Sequence, residues 1–184
     1  MILEYILLGL LREPATGYAL KTEFDEGASH FWSAKLSQIY PALNRMEKRG
    51  WLKSTVEASD KGPERRVYTR TKAGEKALFR WLRTEPIVGM ERFAYLAQLI
   101  FMGQIEDPAT TLQFMKQLRE LLSAKLNLLS SVAEGMKTDD LNIEDFHAHL
   151  SLRMGVLSLS AKVRWCDESI KRIDARLAKE GARV

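Results

Sequence analysis

Apolar residues recur at helical spacing along most of this chain. Ile2, Leu3, Ile6, Leu7 and Leu10 wrap nearly all round the first segment, as in a buried helix, which Arg12-Glu13-Pro14 ends. Thr16 is placed to cap a second helix carrying Tyr18, Leu20 and Phe24, with Gly27 beyond it. A third helix covers about residues 36–49. Ile39, Leu43 and Met46 lie on one side, Gln38, Tyr40, Asn44 and Arg45 on the other, and Gly50 stops it. Pro41 costs no hydrogen bond if that helix starts at Ser37 or Gln38, because it then sits in the first turn. The period changes in WLKSTVEASDKGPERRVYTRT, which reads as two short strands around a Gly62-Pro63 turn. Thr71 then caps a helix running through Ala73, Ala77, Leu78, Trp81 and Leu82.

The remainder reads as helix throughout, over about 92–103, 108–136 and 143–180. Asp107-Pro108 is an N-cap followed by proline at the first helical position, and Asn142 can cap the last helix. Residues 84–89, with Pro86 and Gly89, form the natural linker, which divides the chain at 1–84 and 85–184. In the last helix Leu152, Val156, Leu159, Val163, Cys166, Ile170, Ile173 and Leu177 step by alternating fours and threes, the pattern of a coiled-coil seam. A second row, Phe146, Leu150, Met154, Leu157, Ala161 and Trp165, runs beside it. The preceding helix also has more than one apolar row, with Met115, Leu118, Leu122, Leu126 and Leu129 flanked by Leu121, Leu128 and Val132. Two helices covering each other leave one face over. The expectation is a homodimer with the seam as its interface, in a mainly α fold bearing one small β-hairpin.

Composition removes several classes of function. A single cysteine, Cys166, excludes an internal disulfide and a cysteine-rich zinc site, and His30, His147 and His149 lack the spacing of a metal pair. No apolar run approaches the length of a membrane span, and the N-terminal segment carries Glu4 without a basic leader, so a cytoplasmic chain is expected. Gly9, Gly17 and Gly27 lack phosphate-loop spacing, and no nucleophile–base arrangement is visible. An enzyme, a metal or a cofactor is therefore not expected. Charge is more informative. Of the net +4, residues 31–83 contribute 13 basic against 5 acidic side chains, whereas residues 85–184 hold 13 against 14. That asymmetry points to a polyanionic partner.

The chemistry of the third helix fits such a partner. Gln38 and Asn44 carry paired donors and acceptors that match adenine edges, and Arg45 matches guanine. Ser37 and Tyr40 suit phosphate contacts, which position a helix without reading sequence. Lys35, Arg45, Lys61, Arg65 and Arg66 would supply salt-dependent affinity. A polar outer face is also the ordinary exterior of any helix, and a charged hairpin is a common solubility device. The adjacency of the two, with the charge gathered in both, favours a winged helix-turn-helix that binds double-stranded DNA. Trp32, Trp51 and Trp81 suit either a core or a ligand pocket. Trp165 suits a dimer core or a small-molecule site, and Cys166 suits a small buried hydrophobe.

The strings GYALKTEF, FWSAKLSQIYPALNRMEKRGWL and GPERRVYTRTKAGEKAL, in that order across residues 3–83, closely resemble the PadR-type transcriptional regulators. The helical remainder resembles, in length and helix pattern, the C-terminal domain of members related to the virulence activator AphA. The resemblance implies a homodimer, joined through its C-terminal helices, on a two-fold related operator. It places Gln38, Tyr40, Pro41 and Asn44 in the recognition-helix motif, and Gly62, Pro63, Arg65, Arg66 and Tyr68 in the wing motif. Glu64 departs from a wing that is usually richer in basic residues. Several family members answer to phenolic or other aromatic molecules near the dimer interface, although no pocket residue here matches a motif. A repressor released by a small aromatic or hydrophobic effector is expected. Two competing readings are a winged-helix module whose basic patch docks an acidic protein, and a helical protein that sequesters a small molecule.

Overall fold

The computed structural model describes residues 2–57, 65–89, 91–136 and 141–181. The chain divides into two compact units, Met1–Val88 and Gly89–Val184. In the first, helices α1 (Ile2–Leu10), α2 (Gly17–Gly27), α3 (Leu36–Lys48) and α4 (Lys72–Leu82) surround a core that includes Leu7, Leu8, Leu20, Phe24, Ile39, Leu43, Met46 and Tyr68. Burying each large apolar side chain there is worth about 1.5–3 kcal/mol. A three-stranded antiparallel sheet lies in the order β1 (Ala15–Thr16), β3 (Arg65–Arg70), β2 (Leu52–Glu57). The two-residue strand β1 has no signature of its own in the sequence. It pairs Ala15 with Tyr68 and Thr16 with Val67, which makes β3 a central strand rather than one arm of a free hairpin.

Local chemistry sets the ends of these helices. Thr16 Oγ1 accepts the Ala19 amide at 3.1 Å, and Thr71 Oγ1 accepts that of Gly74 at 3.1 Å. Helix α3 closes through Gly50, whose φ of +72° suits glycine. Bonds from Trp51 N to the Met46 carbonyl and from Gly50 N to that of Glu47 complete a Schellman turn. The helix begins at Leu36, earlier than Ser37 or Gln38, so Pro41 lies past the first turn. Pro41 therefore deprives the Ser37 carbonyl of its backbone partner, on the outer face where solvent can serve it.

In the second unit, α5 (Ala94–Phe101) and a 3-10 turn (Met102–Ile105) precede two long helices, α6 (Pro108–Gly135) and α7 (Ile143–Gly181). Asp107 accepts the amides of Ala109 and Thr110 and the Thr110 hydroxyl. That hydroxyl and the two amides hold its carboxyl below the usual carboxylate range. Asn142 Oδ1 likewise accepts the amides of Glu144 and Asp145.

The α7 seam faces α6 of the same chain. Met115, Leu118, Leu122 and Cys166 form a buried cluster, with Leu159, Val163, Ile170 and Ile173 packed against it. A 4-3 repeat specifies a helical partner but not whose helix it is. The second row is the exposed one: Phe146, Leu150, Met154 and Leu157 are about half exposed, and Leu121 and Leu128 of α6 are 65% and 71% exposed. Burial pushes the Cys166 thiol up, in keeping with a packed hydrophobe.

Candidate nucleic-acid interface

Helix α3 buries Ile39, Ala42, Leu43 and Met46, which fixes the rest of its circumference. Ser37, Pro41, Asn44 and Lys48 recur at steps of four, three and four, so they form one exposed stripe opposite the core. Among the described residues, the side chains of Ser37, Asn44 and Lys48 make no hydrogen bond or ion pair. Lys48, which the sequence reading did not include, belongs to this stripe, and its spacing of four from Asn44 and seven from Pro41 is a helical signal the sequence did contain.

Both flanks of the helix are tied to the protein. On one side Arg45 Nε donates to Glu4 Oε1 at 2.9 Å, and Arg49 Nη1 donates to Glu4 Oε2 at 2.6 Å. The Glu4 side chain is only 3% exposed, while the arginines are 52% and 42% exposed. Arg49 also lies over the Trp51 ring. A carboxylate buried that deeply requires such partners. Arg45 thus anchors α3 to α1 before it can serve a base. Gln38 is also partly engaged, since its Oε1 accepts the Lys35 amide at 3.0 Å and leaves the amide nitrogen as its outward group.

On the other flank, Tyr40 lies against α2. A β-carbon built on Gly17 would come within 2.6 Å of its ring, so glycine is what lets the ring settle there. Glu47 reaches across to the sheet: Arg66 Nη2 donates to Glu47 Oε2 at 2.5 Å, Arg66 Nε donates to Ser54 Oγ at 2.8 Å, and Ser54 Oγ donates to Glu47 Oε1 at 2.5 Å. The Arg66 guanidinium sits 5.4 Å from the centre of the Tyr68 ring.

Tyr68 corrects an expectation. It is 1% exposed inside the central strand, and that burial raises its hydroxyl pKa, so it supports the wing from within instead of meeting a polyanion. Arg70 is structural too, donating to the Leu8 carbonyl at 2.8 Å. Arg65 and Lys35 are exposed and meet no carboxylate among the described residues. Lys61, Gly62, Pro63 and Glu64 lie outside the described residues. No cluster of His, Cys, Asp or Glu among the described residues could hold a metal ion, and no helix there is long and apolar enough to cross a membrane.

The second unit contains a cavity of about 450 Å³ lined by Glu91, Phe93, Tyr95, Leu96, Ser158, Ala161, Lys162 and Trp165. Lys162 Nζ stands 4.5 Å from the centre of the Phe93 ring, and Tyr95 is 6.3 Å from Trp165. Trp165 therefore faces a partly open aromatic recess. Trp51 and Trp81 pack around Tyr5 at the margin of the first core, with the Trp81 ring stacked on Tyr5 at 4.9 Å.

Comparison with known proteins agrees with this architecture. The chain is 28% identical over 178 residues to the negative transcriptional regulator PadR of Bacillus subtilis, covering 94% of this chain and 98% of that one. Two crystal structures of B. subtilis PadR, each 27% identical, superpose with TM-scores of 0.77 for its complex with operator DNA and 0.71 for its complex with p-coumaric acid. They cover 94% and 95% of this chain respectively, and 99% of PadR in each case. The Vibrio cholerae virulence activator AphA, 24% identical, shares the fold with a TM-score of 0.72 over 95% of this chain and 99% of its own. Residues 6–80 match the Transcriptional regulator PadR-like family and residues 95–174 the Virulence activator alpha C-term family. The chain thus joins a PadR-like winged-helix domain, of a family of transcriptional regulators, to a long-helix domain like that of the virulence activators.

Proposed function

We propose that this chain is a cytoplasmic homodimeric repressor that binds a two-fold related operator in double-stranded DNA. The observation that carries the reading is the α3 stripe, whose polar groups are left unengaged while both flanks of the helix are clamped. In this reading Asn44 reads a base edge, and Gln38 contributes its amide nitrogen. Lys35, Ser37, Tyr40, Lys48 and Arg65 meet phosphates, and Pro41 shapes the stripe. A repressing sign is supported by the name of the B. subtilis relative.

The dimer is assigned to the exposed row Phe146, Leu150, Met154 and Leu157 with Leu121 and Leu128, because the seam is already occupied by α6. An apolar strip of that length on a lone chain marks an association surface. Leu150→Asp with Leu157→Asp should give folded monomers by light scattering, whereas a persistent dimer would move the interface elsewhere.

The aromatic recess around Phe93 and Trp165, with Lys162 at its edge, is the candidate effector site, suited to a small aromatic acid. Selection of bound sequences from random duplexes tests the whole reading. A palindromic site whose half-sites lie about one helical turn apart is expected. Retained fragments with no common sequence would favour a module that docks acidic surfaces instead.

A further inference from the structure

The cluster formed by Glu47, Ser54 and Arg66 does more than brace the sheet, and its further role rests on the DNA-binding function proposed for this chain. Arg66 has five N–H donors and one charge. Its Nε and Nη2 are directed at Ser54 and Glu47, its plane lies over Tyr68, and its charge is matched by the Glu47 carboxylate. Glu47 is itself held by the Ser54 hydroxyl and is 28% exposed, so it is screened less than an ordinary surface carboxylate. The cluster joins three elements: the last turn of α3, β2 and β3. It sits beside Arg65, which has no carboxylate partner among the described residues.

We propose that Glu47 is a specificity-setting residue that withholds Arg66 from DNA phosphates and fixes the angle of the wing to the reading helix. An arginine free to follow any phosphate strengthens binding to every sequence alike, because phosphate contact carries no base information. Holding that guanidinium on the protein lowers affinity for random DNA while leaving the Asn44 stripe untouched. The family motif places both neighbouring arginines in the wing, but only Arg65 remains available as a mobile cation. Positive charge near DNA is thus held back at one position of a domain otherwise rich in it.

The test compares wild type, Glu47→Gln and Glu47→Gln with Arg66→Ala. Each is titrated on a duplex selected by the wild type and on a scrambled duplex across a series of salt concentrations. Glu47→Gln is expected to bind the scrambled duplex more tightly, with a log–log salt slope steeper by about 0.9 per chain, the value of one added phosphate contact. The preference for the selected duplex falls, and the added Arg66→Ala change removes the gain. An unaltered slope in Glu47→Gln, or a gain that survives loss of Arg66, overturns the inference while leaving DNA binding intact. Failure of the wild type to prefer any duplex overturns the underlying reading as well. Should Glu47→Gln melt below the assay temperature, Ser54→Ala replaces it, loosening the same cluster and shifting the slope in the same direction by less. A slope unmoved in that variant also counts against the proposal.

Discussion

The ion triad at Glu4 predicts an asymmetry between its two halves. Glu4 is buried and Arg45 and Arg49 are each about half exposed, so removing opposite ends leaves different residues behind. At an effective dielectric near 20, one close pair has a gross attraction of about 4 kcal/mol at a 4 Å separation, much of it offset by desolvating the carboxylate. In Glu4→Gln the amide preserves shape and one acceptor, and both guanidiniums can turn to water. The loss should be about 1–2 kcal/mol. In Arg45→Ala with Arg49→Ala the carboxylate stays in the core without counter-charge, the circumstance that costs about 3–5 kcal/mol. The triple variant, lacking all three groups, should recover part of that loss and prove more stable than the arginine double. Urea unfolding followed by circular dichroism measures each difference, with chain concentration matched across variants, because any association would shift the midpoint. If Glu4→Gln were the more damaging change, or the triple variant no better than the double, the buried carboxylate would not be what holds α3 to α1.

Three further outcomes are expected. Gly74→Ala should lower the melting temperature although alanine favours helix by about 1 kcal/mol, because the added carbon would stand 2.2 Å from the Trp51 carbonyl oxygen and force that strand start to move; a more stable variant would contradict this packing. Asp107→Ala should destabilise the protein at neutral pH. The depressed carboxyl pKa makes that contribution present above the unfolded carboxylate range and lost as pH falls through the folded value, so urea midpoints of wild type and variant should converge in acid. Cys166, buried with its thiol pKa raised, should react with a thiol reagent in native protein far more slowly than in urea, and a fast native reaction would show that α6 and α7 part readily.

Much of this architecture could be read from residue types. Thr16, Thr71 and Asp107 announce helix starts because their oxygens have no better local use than the orphan amides. Ile39, Leu43 and Met46 orient α3 by their spacing alone. What escaped depended on contacts remote in sequence. Strand β1 is two residues long and exists only because β3 lies beside it, and Tyr68 is buried because the core residues of the helices pack against its face of β3. The α7 seam is periodic whether its partner belongs to this chain or another. Arg45 and Arg66 look like DNA ligands until Glu4, 41 positions away, and Glu47, 19 positions away, are found holding them.

The division of α3 into clamped flanks and an unengaged stripe bears on how such a protein can diverge. Ser37, Asn44 and Lys48 make no side-chain bond among the described residues, so under the proposed DNA-binding function substitutions there alter what is read without eroding the domain. Changes at Glu4, Arg45 or Gly17 would test stability first and recognition second. A library confined to the outer stripe should therefore yield mostly folded proteins, which on the proposed reading differ in the DNA they select. The same diversity spread over the flanks should yield mostly unstable ones.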